Sequence, residues 1–201
     1  MGAKAYTRIE EFLPIEGCCL EIGSERNEGS TTFLAQFCCK HSIPFYTVDF
    51  NRDTFDKVRK IPHCNAYCMK GEDFLAREFP KFNQKIGFAY LDNMDWITQY
   101  DGRSWQERIN LYASYGIQLN NNTSADSHYD QVIEINNFIS KRQIILIDDT
   151  WELPNNIGWD GKGRYAVPAL LEHGYSVLSP HFIGPERLDG YALMMRDKNA
   201  T

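Results

Sequence analysis

No stretch of the 201-residue chain approaches the ~20 consecutive apolar residues that a bilayer-spanning helix needs. Positive charge is in deficit as well. Lys and Arg number 21 against 27 Asp and Glu, leaving −6 at neutral pH, so the chain as a whole offers no electrostatic footprint for nucleic acid or anionic lipid. No segment interleaves basic and aromatic residues in the way a nucleic-acid substrate favours. A clean G-x-G-x-x-G is missing, which speaks against a dinucleotide fingerprint. Zinc-finger spacing is missing too: His63, Cys64 and Cys68 have no fourth ligand at a suitable interval. The opening MGAKAYTRIEEF puts charges where a secretory leader has its apolar centre, so a cytoplasmic setting is expected. Tyr6 stands where a myristoylation motif needs Ser or Thr. In that setting the six cysteines read as buried reduced thiols, and the acceptor-like tripeptides at Asn121 and Asn122 read only as a polar loop.

What the chain does have is the composition of a soluble globular domain, 43% apolar and 24% charged. It also has a repeating rhythm. Short apolar runs at 18–22, 44–50, 65–69, 85–92 and 142–149 alternate with helical patterns at 30–41, 52–61 and 71–80. Ser30 and the following Thr residues read as the cap of the first helix. A parallel neighbour is reached only through a long crossover, so this alternation predicts an α/β fold: a Rossmann-like three-layer sandwich around a mostly parallel seven-stranded sheet. A helix at 163–174 then leads to two last runs, 175–179 and 190–195, whose short Pro/Gly link predicts an antiparallel last strand. No interdomain linker or repeat is present, so residues 1–201 read as a single domain. Residues 93–126 break the rhythm and read as a helical insertion ending in a polar loop. That insertion is either a lid or a cap packed for stability alone.

In an open parallel sheet, ligands sit beyond the carboxyl ends of the strands. Glu21, Asp49, Glu72, Asp73, Asp92, Asp148 and Asp149 fall at such ends. The first loop carries Glu21, Glu25 and Glu28 against Arg26 alone, which repels a pyrophosphate and suits a cationic ligand. Gly23 permits close backbone approach there, Gly29 precedes the helix, and Asp49 offers two oxygens to a pair of ribose hydroxyls.

These residues resemble a family. The segment from Glu21 to Ala35, Asp49 closing the second strand, the acidic Gly71-ED turn and Tyr90-LD are similar to the successive cofactor motifs of class I S-adenosylmethionine-dependent methyltransferases. Tyr90-LDN, Ser127-HYDQV, Ile145-LIDDTW and Gly161-KG further resemble its small-molecule O-methyltransferase branch. The likeness covers nearly the whole chain, although the first loop is one residue longer and the insertion splits the Asp and His parts. It implies S-adenosylmethionine as cofactor, with Glu21 and Gly23 at its methionine part, Asp49 at its ribose, Glu72 or Asp73 near its adenine, and Ser24, Gly29, Ser30 and Asp92 as further binding residues. It also implies a small-molecule acceptor methylated on oxygen and a Mg²⁺ ion held by Asp92, Asp148 and Asp149, since three converging carboxylates call for a cation. Asp95 or His128 is then the proton acceptor. Trp96, Trp105, Trp151 and Trp159 either line an acceptor pocket or pack the insertion onto the sheet, and Lys162 reads as a solvated side chain. Two other readings stay open: an NAD(P)-dependent reductase, and a non-catalytic module that keeps the fold or the cofactor pocket.

Overall fold

A computed structural model describes residues 5–24, 29–98, 105–180 and 190–197. The charged loop residues Glu25, Arg26 and Glu28, Tyr100, and the link expected between the last two strands lie outside the described residues. A 3₁₀ helix over Ala5–Phe12 precedes β1 (Cys18–Ile22), α1 (Ser30–Lys40), β2 (Phe45–Asp49), α2 (Arg52–Val58) and β3 (Asn65–Cys68). A short α3 (Gly71–Asp73) runs on through tighter and wider turns to Phe82, and β4 (Ile86–Leu91) follows. Next come α4 (Trp105–Ser114), α5 (Asn121–Ile135), β5 (Ile139–Asp148), β6 (Thr150–Glu152), β7 (Trp159–Gly161), α6 (Ala166–Glu172), β8 (Ser176–Pro180) and β9 (Tyr191–Asp197).

The main sheet has seven strands in the order β3-β2-β1-β4-β5-β9-β8. The neighbours from β3 to β5 are parallel, while β9 runs antiparallel to both β5 and β8. The expected α/β architecture and its antiparallel last strand are therefore present. β1, β2 and β4 are buried along their whole length, as interior parallel strands covered on both faces must be. One face packs Leu20, Val48, Leu91 and Ile145 against Phe74, Val132 and Leu170 of the helical elements. The other packs Cys19, Phe88 and Leu146 against Ile9, Leu34 and Phe37. Cys18 and Cys19 thus go to opposite faces, as the period of a strand requires. All six cysteines are free, and burial pushes the Cys64 thiol up to about 12.

Two local expectations need correction, and one element was not foreseen. Gly29, at φ 89°, caps α1 without a side-chain bond, because the Ser30 and Thr31 hydroxyls are drawn to the buried Glu21 instead. The segment read as a polar loop, from Asn120, is the first turn of α5. There Asn120 and Thr123 form a reciprocal capping box, Asn120 Oδ1 accepting from Thr123 N at 2.9 Å and Thr123 Oγ1 from Asn120 N at 3.0 Å. The run after Asp149 is a β6–β7 hairpin, paired from Thr150↔Gly161 to Glu152↔Trp159. The insertion carries its own small apolar cluster, Met94, Tyr112 and Leu119, which packs on Phe50 just beyond β2. Among the described residues, no helix is long and apolar enough to cross a membrane.

Candidate active site

The strand order reverses between β1 and β4, and a cleft opens over the carboxyl ends of the strands there. It encloses about 360 Å³ of empty space, its open mouth included. Ile22 and Val48 form its floor, Asp49 and Phe50 one wall, Met69 to Glu72 the next, and Asn93, Met94, Ile117 and Ser127 the side nearest the insertion. Asp49 is 5% exposed and accepts a hydrogen bond from the Asn51 backbone N–H at 2.7 Å. Glu72 Oε2 faces Ser127 Oγ at 3.4 Å and Gln131 Nε2 at 3.3 Å, while Asn93 Nδ2 donates to Ser127 at 3.1 Å. The Asn93 side-chain oxygen is buried and has no hydrogen-bond partner, which leaves one acceptor on the cleft wall for a donor on a ligand.

Behind this cleft stands Glu21, with no exposed surface. Ser30 donates to its Oε1 at 2.7 Å, and Thr31 and Thr47 each donate to its Oε2 at 2.6 Å. Because the Thr47 hydroxyl is spent on Glu21, Ser24 donates to Thr47 across 2.7 Å, giving a hydroxyl relay into the carboxylate. Burial pushes the Glu21 carboxyl up to about 7; the three hydroxyls pull it back, and nearby Asp92 adds to the rise. Gly23 (φ 95°) has a role in the scaffold. A Cβ there would lie 2.4 Å from the Asp92–Asn93 backbone, so only glycine lets the ends of β1 and β4 close on each other.

On the far side of β4 the three aspartates meet. Asp92, Asp148 and Asp149 each bring an oxygen within 4.8 Å of the others. The Tyr90 hydroxyl spans Asp92 Oδ2 at 3.2 Å and Asp148 Oδ2 at 3.4 Å. Between them lies the ammonium of Lys162, 2.6 Å from Asp92 Oδ1 and 2.9 Å from Asp149 Oδ2. Lys162 is 1% exposed, so the expectation of a solvated side chain is overturned. The flanking glycines were the sequence signal that the lysine is pressed against other backbone. The donor chemistry of this cluster suits a hard divalent ion, but the position such an ion would take already holds an ammonium, and the residues as arranged do not fit Mg²⁺.

Other expected residues fall in different places. Asp73 points along its own helix to Arg77 at 3.3 Å and does not line the cleft, whereas Glu72 does. Asp95 lies 3.6 Å from Arg108 on α4, and its backbone N–H donates to the Tyr112 hydroxyl at 3.0 Å. His128 is fully buried within α5, its Nδ1 2.7 Å from the Ser124 carbonyl, and its neighbour Ser127 is the residue that reaches the cleft. Trp96 meets Trp151 edge-on at 6.1 Å, with Arg164 over the Trp96 ring, so an aromatic pair stands where the insertion meets the hairpin. Trp159 packs on the core, and Trp105 Nε1 donates to the Thr98 carbonyl within the insertion. Sequence reasoning passed over Thr47 and gave no role of their own to Tyr90, Asn93 and Gln131 inside the motifs that contain them; all four matter through cross-strand register and helix packing.

No family model matches the chain, and no curated protein matches it. Solved structures do. A Clostridium thermocellum protein assigned as an rRNA methylase superimposes with a TM-score of 0.54 at 11% identity, over 96% of this chain and 94% of that one. The N-methyltransferase NodS from Bradyrhizobium japonicum WM9 gives 0.50 at 9% identity, over 94% and 92%. LepI, solved in complex with SAM, also gives 0.50 at 9% identity, over 91% of this chain and 43% of that chain. What is shared at these identities is the fold.

Proposed function

We propose that the chain is an S-adenosylmethionine-dependent methyltransferase acting on an oxygen of a small-molecule acceptor. The carrying observation is the cleft at the sheet's reversal point, where Asp49 closes β2 beside Phe50, Glu72 and the unpartnered oxygen of Asn93. When bound, the cofactor supplies an electrophilic methyl on a sulfonium, to be taken by a lone pair of the acceptor in line with the breaking C–S bond. The chain's part is to hold and to accept a proton. Asp49 is placed for two ribose hydroxyls, Glu72 and Asn93 for donors of the adenine, and Glu21 with its hydroxyl relay sets the charge behind the sulfonium end. Gly23, Ser24, Gly29 and Ser30 shape that end through backbone closure and the relay. Asp92 and Asp149, 21% and 32% exposed at their side chains, are the carboxylates that an acceptor can reach for proton transfer. The buried His128 and Asp95, whose side chain is 16% exposed, offer an acceptor less access.

Titration calorimetry with S-adenosylmethionine, its demethylated product and NAD⁺ tests the reading. Binding of the first two, weakened in D49A, supports it. Binding of NAD⁺ alone would favour the reductase, and binding of none would favour a module without the activity.

A further inference from the structure

We infer that Lys162 is the resident cation of the aspartate cluster and that it excludes divalent metal from the place where three carboxylates converge. The lysine is built into its position by backbone. Gly161 has φ 80°, and a Cβ on it would stand 1.9 Å from the Asp149 carbonyl; one on Gly163 would stand 2.4 Å from Thr150 Cγ2. With both side chains absent, the turn closes on the end of β5. Lys162 N–H donates to the Asp149 carbonyl at 2.9 Å, and Gly163 N–H donates to Thr150 Oγ1 at 2.9 Å. Thr150 Oγ1 in turn donates to the Asp148 carbonyl at 2.9 Å. The β6–β7 hairpin, which departs just after Asp149, therefore returns Lys162 to Asp149 and to Asp92 beyond the end of β4.

Sterics and charge then act together. An ion bonded to both Asp92 Oδ1 and Asp149 Oδ2 at the ~2.1 Å typical of Mg²⁺ would overlap an ammonium that lies 2.6 and 2.9 Å from the same oxygens. Expelling the ammonium would require moving a side chain that is 2% exposed, against the pull of both carboxylates. A lysine also neutralises one charge where a divalent ion would neutralise two, so the cluster keeps a more negative face toward the partly exposed sides of Asp92 and Asp149.

The test reads metal uptake by the purified full chain, independently of any methyl transfer. Mn²⁺ is titrated against wild type, D149N, K162M and the double variant K162M/D149N, with free Mn²⁺ followed by electron paramagnetic resonance. Wild type is expected to take up none up to about 1 mM, while K162M takes up one ion with at least ~10-fold higher affinity, and the double variant loses it. Uptake by wild type that D149N abolishes overturns the inference, as does a folded K162M that gains nothing. Should K162M fail to fold, the wild-type and D149N titrations alone decide: no uptake upholds the exclusion, and D149N-sensitive uptake ends it.

Discussion

Glu21 and Thr47 face each other across the β1–β2 ladder, and the Thr47 hydroxyl donates to the Glu21 carboxylate at 2.6 Å. The pair sits with no solvent exposure on either side chain, at the carboxyl ends of two strands that border the cleft. A carboxylate thus stands buried with three hydroxyl partners and, among the described residues, no lysine or arginine bonded to it, and its titration becomes a property of the fold.

Stability should fall as pH rises through neutrality because of Glu21. Its folded value is raised from 4.5 to about 7, so the native state holds a proton that the unfolded chain has released. The contribution is fully present below about 4.5 and is lost as pH rises through about 7, a change of ~3 kcal/mol. E21Q should flatten that part of the profile. Urea denaturation of both proteins between pH 5 and pH 9 checks it, and parallel profiles would refute the assignment.

Asp49 should matter for ligand and little for fold. Its carboxylate accepts from the Asn51 backbone N–H, whereas β2 is held by β1 and β3 on both sides. D49A is expected to bind S-adenosylmethionine about 10- to 100-fold more weakly, the loss of one or two charge-assisted hydrogen bonds. Calorimetry gives the affinity and circular dichroism the fold.

Gly161 should tolerate no side chain. G161A places a methyl 1.9 Å from the Asp149 carbonyl at a positive φ, so the hairpin must shift and Lys162 with it. A loss of about 2–4 kcal/mol is expected in chemical denaturation. G158A, where a Cβ meets nothing within 4 Å, provides the control that carries only the backbone cost.

Asn120 should hold the first turn of α5. N120A removes the oxygen that accepts from Thr123 N at 2.9 Å and should cost about 1 kcal/mol. Hydrogen exchange should show faster opening at residues 121–124 than at Val132, which is packed in the main core.

The sheet was legible because burial on both faces writes itself as uninterrupted apolar runs, and residues 86–91 leave no other reading. The acids at strand ends were legible for the same reason: each marks where a run stops. The chemistry around them was not. Lys162 reads as one more surface lysine until the hairpin that carries it is seen, and β6 and β7 are each too short for periodicity to show. Likewise, Ser30 and Thr31 have the composition of a helix cap, yet the carboxylate that claims their hydroxyls is nine or ten residues away. His128 presents the opposite case. A histidine in a promising motif is visible in sequence, but the helix phase that turns it inward and Ser127 outward begins at the capping box of Asn120.

A positive charge that belongs to the polypeptide is shared by Asp92 and Asp149 in every folded copy of the chain. Translation and folding deliver the cluster with its cation already in place, with no loading step to wait for and no rivalry among cellular ions to win.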